Sequence, residues 1–373
     1  MSESPQAADA QVASALRTHG ILTRHEIVET TGLSMASVNR SVGRLCASSV
    51  VTRVGRQSST GGRPPELLAY NGAGLTAVGL SMTEAGANGV VLSLDGGIIA
   101  RDCEEFKQDE GPDVRLSRTL QLLDRMLANQ DSHVCGVGVA VPGVVGPSGR
   151  LSAIHELGWD RLALGDLMSR HAAMPVVVDN DGNCLAVGEH LRGAGRGVDN
   201  LVALVISSGL GAGLIANGQL YRGLHHEAGE IGYLLTGPAS LRRLFPDRGD
   251  LEKAMGVERL VDMGMALGLP QPQQVTLPHL ISFGLRTVGP AREFADELLD
   301  LTALAVSSMC VVLDPELVII GGSGIESEMT DVITGVHERL LGRILRVPRI
   351  EAPALGSDAV MVGAAQLALP TTI

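Results

Sequence analysis

The sequence predicts an α/β protein in which a small helical head precedes a larger body built from two α/β lobes. Three observations predict this organisation. The chain has 373 residues, more than one compact domain usually holds. The first 72 residues carry seven arginines, no lysine and five acidic residues, whereas the rest carries 22 basic and 36 acidic residues. Beyond residue 72, strand-like apolar runs alternate with helical segments and end in glycine-rich turns, which is typical of α/β folds.

Residues 1–71 are predicted to form a winged helix-turn-helix. A first helix over 11–18 is followed by Gly20 as a stop, and a short second helix runs from Arg24 to Thr30. Gly32 lies where a tight corner between two helices needs a positive φ. The corner leads into a third helix, which is followed by two strands that would form the wing.

The third helix, over 35–46, has the composition of a recognition helix. Ser34 is expected to cap it, and Val38, Val42 and Leu45 fall on one face that would pack inward. The other faces carry short polar side chains and arginines, which suit base edges and phosphates. The elements predicted after it are a strand over 50–54, a wing or flexible arm over 55–64 and a returning strand over 67–70.

The head also stands apart electrostatically. Gly32–Pro65 contains five arginines and no acidic residue, although the chain has a formal net charge of -12. An acidic protein attracts polyphosphate only where its charge is locally reversed, so double-stranded DNA is the expected partner of the head. A small interaction domain that binds no DNA is the alternative. The predicted DNA-contacting residues are Ser34, Ser37, Asn39, Arg40, Arg44, Arg53, Arg56 and Arg63.

Composition excludes several other classes of protein. No apolar run reaches the roughly 18–20 residues that a membrane helix needs, and we expect neither a signal peptide nor a membrane partner. The five cysteines are dispersed, which favours reduced thiols in the cytoplasm over a disulfide framework or a metal cluster.

The body is predicted to alternate strands and helices from Leu75 onward. The glycine-rich turns at the strand ends indicate that ligands are held there. The predicted strands are 77–81, 89–94, 98–100, 135–141, 175–178, 201–206, 214–216 and 317–320, and the predicted helices are 114–129, one that begins near Asn183, and 292–313.

Six sequence motifs occur in order along the chain. They are Thr31-Gly32-Leu33-Ser34, Gly61-Gly62-Arg63-Pro64-Pro65, Pro142-Gly143, Asn180-Asp181, Ser208-Gly209-Leu210-Gly211-Ala212-Gly213 and Glu227-Ala228-Gly229-Glu230-Ile231-Gly232. With these motifs the chain resembles the ROK family (repressor, open reading frame, kinase), in the branch with an N-terminal DNA-binding head. The resemblance covers about residues 10–370. It implies an actin/hexokinase-like (ASKHA) body that closes on a sugar, and a homodimer or tetramer.

The resemblance also implies domain bounds and a sugar site. The body would span 72–373, with a first lobe over about 72–192 plus a C-terminal helix over about 357–373, and a second lobe over about 193–356. In the family's kinases the residue matching Asp181 is the general base, but here we expect Asp181 only to bind ligand. An Asx turn that caps the following helix is the alternative role for Asp181. The implied sugar-contacting residues are Gly143, Asn180, Asp181, Glu230, Tyr233, Glu252 and His155, and Arg150 stands where some relatives contact substrate.

The zinc site of the family is the first departure from its pattern. The family has a zinc-binding His where this chain has Tyr233, and three zinc-binding cysteines where it has Arg243, Phe245 and Asp250. Tyr, Arg and Phe cannot form a tetrahedral Cys/His site, so we expect no zinc. An ion pair between Arg243 and Asp250 is the expected replacement.

The phosphate-binding motif is the second departure. Ser81 stands about where the family's kinases carry the Asp that organises magnesium, and Glu84 is the sole acid between Val78 and Leu94. Phosphoryl transfer depends on positioning and charge stabilisation, so we expect neither ATP nor magnesium as a cofactor and no enzymatic activity. A residual phosphate loop would comprise Ser208, Gly209, Gly211 and Gly213, whose glycines also have a purely conformational explanation.

Three functions remain open from the sequence. The leading hypothesis is a cytoplasmic, sugar-responsive transcriptional regulator, of the repressor kind, that does not phosphorylate its sugar. The main alternative is an ATP-dependent sugar kinase, with or without a DNA-binding role. A third is a regulator that answers to a protein partner in place of a sugar.

Overall fold

A computed structural model describes residues 5–57, 64–107, 109–128, 133–152, 157–159, 161–207, 209–270, 275–322 and 329–370. The helices of these ranges are α1 (Pro5–His19), α2 (Arg24–Thr31), α3 (Met35–Ala47), α4 (Pro112–Ala128), α5 (Leu164–Ala172), α6 (Asp181–Arg192), α7 (Asp250–Met255), α8 (Val257–Ala266), α9 (Leu277–Leu285), α10 (Pro290–Leu313), α11 (Met329–Leu340) and α12 (Ala359–Ala368). The strands are β1 (Leu22–Thr23), β2 (Val51–Arg56), β3 (Glu66–Tyr70), β4 (Leu75–Thr83), β5 (Gly86–Ser93), β6 (Ile98–Glu105), β7 (His133–Val141), β8 (Val176–Asn180), β9 (Leu201–Ile206), β10 (Leu210–Ala216), β11 (Gln219–Leu220), β12 (Leu317–Gly321) and β13 (Arg349–Glu351).

The head has three helices and a small sheet of order β1-β3-β2. Thr23 and Glu26 form a capping box that starts α2, and Gly32 ends it with a φ of 72°. Ser34 then caps α3 by accepting a hydrogen bond from the Ser37 amide. These caps satisfy the backbone groups at the helix-to-helix corner, so the chain turns tightly between α2 and α3.

The core of the head continues into the body. One buried cluster contains Val12 and Leu16 of α1 and Val42 of α3, and it also contains Leu92 of β5 and Leu369 beyond α12. A core shared in this way keeps head and body in contact, because separating them would expose apolar surface. The head therefore packs directly against the body through one continuous apolar core.

The first lobe is a five-stranded sheet of order β6-β5-β4-β7-β8. Strands β4, β5 and β6 are antiparallel, whereas β7 and β8 run parallel to β4. A buried cluster packs α4 and α5 on this sheet, and it includes Leu122, Val139 and Met168. The parallel strand β8 ends at Asn180, directly before α6.

The second lobe is a five-stranded sheet of order β11-β10-β9-β12-β13. Strands β9, β12 and β13 are parallel, and β10 is antiparallel to β9. The largest buried cluster of the described residues packs α9, α10 and α11 on this sheet, and it includes Val202, Leu298 and Val336.

Helices α6 and α12 pack against each other between the two sheets. Leu185 and Val187 of α6 share a buried cluster with Ala203 of the second sheet, and Met361 of α12 belongs to the cluster that the head shares with β4 and β5. A Cβ at Gly363 would overlap the Cys184 carbonyl, so only glycine allows this approach. The sequence placed α6 in the first lobe, but α6 also packs on β9 and β10 of the second.

Among the described helices, none combines the length and the apolar character needed to cross a bilayer. All five cysteines lie within the described ranges and are unpaired thiols. Burial raises the pKa of the Cys184 thiol well above its usual range.

Candidate functional site

Asn180 starts α6 and ties it to the first lobe. Its side-chain oxygen accepts hydrogen bonds from the Gly182 amide at 2.7 Å and the Asn183 amide at 3.4 Å. Its side-chain nitrogen donates to the carbonyl of Gly143, 2.9 Å away. The sequence left open that Asp181 caps this helix. In the structure the capping residue is Asn180.

Asp181 is the first residue of α6 and faces a cavity of about 1300 Å³ between the lobes. One carboxylate oxygen accepts a hydrogen bond from the Gly182 amide at 2.8 Å. A Cβ at Gly211 would lie 4.0 Å from side-chain oxygens of both Asn180 and Asp181. The structure thus brings together the Asn-Asp pair and the glycine-rich hairpin between β9 and β10.

The segment that carries Glu230 is held by backbone contacts and by an ion pair. The Ala212 amide donates to the Gly229 carbonyl at 2.8 Å. Gly229 has a φ of 94°, and a Cβ there would overlap the Ala212 carbonyl, so the position requires glycine. Arg222, at the start of the segment, donates to one oxygen of Asp179 at 2.6 and 3.0 Å.

Asp179 is the hub of this network. It is 4% exposed and lies at the end of β8, next to Asn180. The oxygen not used by Arg222 accepts from the Asn183 side chain at 2.7 Å and from the Asn180 amide at 2.8 Å. A buried carboxylate is tolerated because it is paired and fully hydrogen-bonded. The pair joins the first lobe to the segment 222–230 of the second.

Three carboxylates and one phenol converge beside Asp181. Burial raises the pKa of Glu230 to about 7, and the negative charges of Asp181, Glu252 and Glu227 add to the effect. Burial and the charges of Glu252 and Glu230 also raise the pKa of Tyr233. The Tyr233 amide donates to the Glu230 carbonyl at 3.2 Å, and a Cβ at Gly232 would lie 3.0 Å from a carboxylate oxygen of Glu252, so the predicted sugar-contacting residues Glu230, Tyr233 and Glu252 are neighbours. Asp181 acts on Glu230 through its charge. Such a cluster of acceptors and donors suits a polyhydroxyl ligand.

The loop that matches the family's zinc site is held by hydrogen bonds. The Thr236 amide and hydroxyl donate to Asp250 at 2.7 and 2.8 Å. Burial opposes ionisation of Asp250, but hydrogen bonds from Ser240 and Thr236 and the charge of Arg243 lower its pKa overall. The expected Arg243–Asp250 ion pair is thus replaced by hydroxyl and amide donors, and Arg243 acts on Asp250 only through its charge.

The donor set of this loop does not fit zinc. Tyr233 is half exposed, and Phe245 lies 5.6 Å from the Lys253 ammonium, measured to the ring centre. Within the described ranges, no group of three or more His, Cys, Asp or Glu side chains could hold a metal ion. The side chains of this loop therefore do not suit a metal ion.

The opposite side of the cavity is where phosphate would lie in a kinase. Ser81, near the end of β4, lines it in the place of the family's Asp. Asp102 and Asp358 also line it, but Arg125 binds Asp102 at 2.8 Å and Arg101 binds Asp358 at 2.6 Å. Carboxylates already neutralised by arginine are poor magnesium ligands.

The residual phosphate loop is only partly described. Gly209 and Gly211 lie in or beside the hairpin between β9 and β10, and the Gly209 carbonyl accepts from the Ser207 amide at 3.0 Å. A Cβ at Gly213 would overlap the Gly182 carbonyl, so this glycine lets β10 pack on the start of α6. Ser208 and His155 lie outside the described residues. Arg150 is exposed and donates to the Arg161 carbonyl at 3.1 Å.

The predicted DNA-contacting arginines fall into two groups. Arg44 forms two hydrogen bonds with Asp9 of α1, at 2.5 and 2.8 Å, and Arg53 pairs with Glu66 at 2.9 Å. Burial alone would raise the pKa of Asp9, but its hydrogen bonds with Arg44 and Ser41 lower it. Arg44 and Arg53 therefore brace the head internally, and a phosphate would have to compete with their carboxylates.

Three of the remaining predicted contacts, Ser34, Asn39 and Arg40, lie on one exposed surface of α3 and its cap. On α3 this surface comprises Ser34, Met35, Ala36, Asn39, Arg40 and Gly43, with Ser37 half-buried beside it. Arg56 is exposed on β2, and Arg63 lies outside the described residues. Met35 and Ala36 were not singled out from the sequence, although their spacing before Asn39 and Arg40 places them on the same face.

Asp179, Asn183 and Arg222 were also missed. The signal available was weak: Asp179 closes a buried apolar strand, and Arg222 lies 43 positions further along the chain. Their pairing depends on the tertiary fold.

The fold and cleft define a hexokinase-like protein with an added winged helix-turn-helix. Residues 82–371 match the model of the ROK family, and the chain belongs to that family, as its motifs predict.

Individual relatives differ in how much of the chain they match. The xylose repressor of Bacillus subtilis is 24% identical over 356 residues, covering 91% of each chain. The glucokinase of Halalkalibacterium halodurans is 26% identical over 277 residues, covering 69% of this chain and 83% of its own. The crystal structure of a ROK family transcriptional regulator, a homologue of the Escherichia coli MLC protein, covers 99% of this chain and 97% of its own. It has a TM-score of 0.78 and 22% identity. This likeness confirms the predicted fold.

Proposed function

We propose that this protein is a sugar-responsive transcriptional repressor that binds operator DNA through α3 and senses a sugar between its lobes without phosphorylating it. One observation carries the proposal. A winged helix-turn-helix with an exposed polar face on α3 shares a continuous core with a kinase-like body that keeps Asn180, Asp181, Glu230 and Glu252 but has Ser81 on the phosphate side.

The relatives support the regulator over the enzyme. Proteins named xylose repressor match the chain over its head as well as its body, since they cover up to 91% of it. A glucokinase from Streptomyces griseus, solved with glucose and AMPPNP, covers 78% of this chain. D-xylose is therefore the first sugar to test, followed by glucose, and N-acetylglucosamine adds one amino sugar to the panel.

The exposed face of α3 suits the major groove. Asn39 can bond adenine and Arg40 can bond guanine, whereas Ala36 can contact a thymine methyl group. A homodimer would present two such helices to a two-fold symmetric operator in the cytoplasm, which is the arrangement that dimeric helix-turn-helix proteins use.

The absence of zinc and of Mg-ATP chemistry is part of the proposal. The hydrogen bonds of Thr236 and Ser240 to Asp250 close the loop that zinc would otherwise close. On the phosphate side, Asp102 forms an ion pair with Arg125, and Asp358 forms one with Arg101.

The test combines DNA selection with a sugar screen. Duplexes are selected from a random-sequence pool by the wild-type protein, and binding is measured by fluorescence anisotropy at low and moderate salt. We expect an enriched sequence, a thermal shift with at least one sugar of the panel, and weaker DNA binding in its presence. Arg40→Met should abolish selective binding, whereas Arg292→Met, at a surface ion pair of the body, should not. Enrichment of no sequence would refute the proposal.

Kinase activity is the second candidate, because Asp181 lies at a large cleft beside a glycine-rich hairpin. It is tested by incubating the protein with Mg-ATP and each sugar of the panel. ADP release that disappears in Asp181→Asn would establish it.

A further inference from the structure

We propose that Arg192 is the positioning residue through which α6 carries sugar occupancy at Asn180 and Asp181 to the DNA-binding head. This inference rests on the proposed function and specifies how that site is regulated. Helix α6 carries the proposed sugar-binding residues at its N-terminal end and contacts the turn between β5 and β6 at its C-terminal end.

The N-terminal end of α6 is the sugar site. Asn180 caps the helix, and Asp181 is its first residue. The helix has 12 residues, which spans about 18 Å, and every residue from Gly182 to Glu189 is buried. At Gly188 and Gly363 the backbones of α6 and α12 approach so closely that a Cβ would overlap a carbonyl, so the two helices pack tightly together. A shift imposed on one end is therefore passed to the other as a movement of the whole helix.

The C-terminal end of α6 reaches the turn between β5 and β6. The Arg192 guanidinium donates to the Leu94 carbonyl at 2.9 Å and to the Asp95 carbonyl at 3.3 Å. Its third bond, at 3.0 Å, goes to the side-chain oxygen of Gln366 on α12. A Cβ at Gly96 would lie 2.7 Å from the guanidinium, so the turn closes around the arginine.

The head holds the same turn from the other side. Tyr70, at the end of β3, donates its hydroxyl to the Leu94 carbonyl at 3.5 Å. The Asp95 amide donates to the Gly72 carbonyl at 3.2 Å, directly after β3. The carbonyl of Leu94 thus accepts from Arg192 of the sugar-binding helix and from Tyr70 of the head.

Strand β3 conveys the position of this turn to the DNA-binding elements. It is the central strand of the small sheet and pairs with β1, which precedes α2, and with β2, the wing strand. Rotating β3 therefore moves the wing and α2, and with α2 the corner into α3. For sugar to act this way, it must favour one of two arrangements of α6.

Arg192 can be replaced without releasing the end of α6. The fully buried Glu189 accepts hydrogen bonds from the amides of Ala194 at 2.8 Å and Leu355 at 2.9 Å. These bonds keep the helix end in place, so Arg192→Met removes the link to the turn and leaves the helix anchored. Tyr70→Phe is a milder second variant that removes only the hydroxyl on the head side.

The experiment measures how strongly sugar and DNA affect each other. The full-length protein is titrated with its selected duplex, with and without a saturating sugar from the panel of D-xylose, glucose and N-acetylglucosamine. Sugar affinity is measured by calorimetry. In the wild type we expect the sugar to weaken DNA binding about 10-fold or more. In Arg192→Met and Tyr70→Phe that factor should fall below about 3-fold, with sugar affinity unchanged. Arg196→Met, at an exposed arginine four residues further on, should behave as wild type.

A measurement without sugar separates this proposal from the proposed function. Asn180→Ala loosens the sugar end of α6, and amide hydrogen exchange then reports on residues 66–72. We expect faster exchange there in the Asn180→Ala protein, and no additional change when Arg192→Met is also present. Wild-type coupling retained in both Arg192→Met and Tyr70→Phe would overturn the inference, as would unaltered exchange over 66–72. If no sugar affects the wild type but the exchange result holds, the sugar assignment fails and the link between helix and head stands.

Discussion

The two sides of the interlobe cavity differ in what their carboxylates do. At the predicted sugar site, burial raises the pKa of Glu230 to about 7, and the negative charges of Asp181 and Glu252 add to the effect. Across the cavity, Asp102 and Asp358 form ion pairs with arginines, and Ser81 is predicted to stand where a kinase of the family carries an acid. The two sets differ in their partners, since Asp102 and Asp358 each pair with an arginine whereas Glu230 is buried near other acidic side chains. Because separate elements hold the two sets, one can change without the other.

The largest expected effect comes from breaking the link that supports the sugar side. Arg222→Met leaves the buried Asp179 carboxylate without its cation, which should cost about 3 kcal/mol of unfolding free energy. Urea denaturation measures it. The matched control, Arg292→Met, breaks an exposed pair with Asp296 and should cost less than about 0.5 kcal/mol. Equal costs in the two variants would show that the Arg222 pair does not hold the segment.

Asp181→Asn should have the next largest effect, on sugar binding. Losing a charged acceptor for a sugar hydroxyl weakens affinity by roughly 10- to 100-fold, since such hydrogen bonds contribute about 1.5–3 kcal/mol. Isothermal titration calorimetry with the sugar found in the screen measures the change. Asp102→Asn, across the same cavity, should leave affinity within about 2-fold. A reversed ranking would assign ligand binding to the phosphate side.

Glu230 should make stability depend on pH. An acid with a pKa of about 7 when folded and an ordinary value near 4.5 when unfolded holds more protons in the folded state between those values. Its contribution therefore falls as pH rises from about 4.5 to 7 and stays low above 7. Glu230→Gln should flatten this dependence and add about 1–2 kcal/mol at pH 8. Glu338→Gln, at an exposed glutamate of α11, is the control for denaturation at pH 5, 6, 7 and 8.

The smallest expected effect is that of metal removal. Because Thr236 and Ser240 hold Asp250, dialysis against EDTA should change the melting temperature by less than about 1 °C. Thr236→Val should lower the free energy of unfolding by about 1–2 kcal/mol, since the buried Asp250 carboxylate loses the hydrogen bond from the Thr236 hydroxyl. A large loss of stability with EDTA would show that the loop binds a metal.

Local features of the head could be predicted from the sequence because their causes lie close together in the chain. Gly32 and Ser34 fix the helix-to-helix corner within a few residues, and both caps are confirmed. The wing strands also form close to where they are predicted. The internal roles of Arg44 and Arg53 could not be foreseen, because Asp9 lies 35 residues from Arg44 and Glu66 lies on the opposite strand.

The sugar site shows the same limit. The sequence located Asn180 and Asp181 after a buried strand, and the family resemblance located Glu230. Asn180 and not Asp181 caps α6, because the geometry of the strand-to-helix turn decides which side chain reaches the free amides at the start of the helix. The contacts of Asp179 and Arg192 join residues 43 and 98 positions apart, and sequence spacing gives no indication of such pairs.

The core that the head shares with the body has a consequence for synthesis. A nascent chain emerges from the ribosome N-terminus first, so α1, α2 and α3 are complete about 310 residues before α12 begins. Yet the buried cluster that begins with Ala8 is finished only by Met361, Val362, Ala365 and Leu369. A polypeptide cut short by premature termination lacks that last layer of apolar side chains. We therefore expect a chain that ends before α12 to hold its DNA-binding head less stably than the full-length chain does.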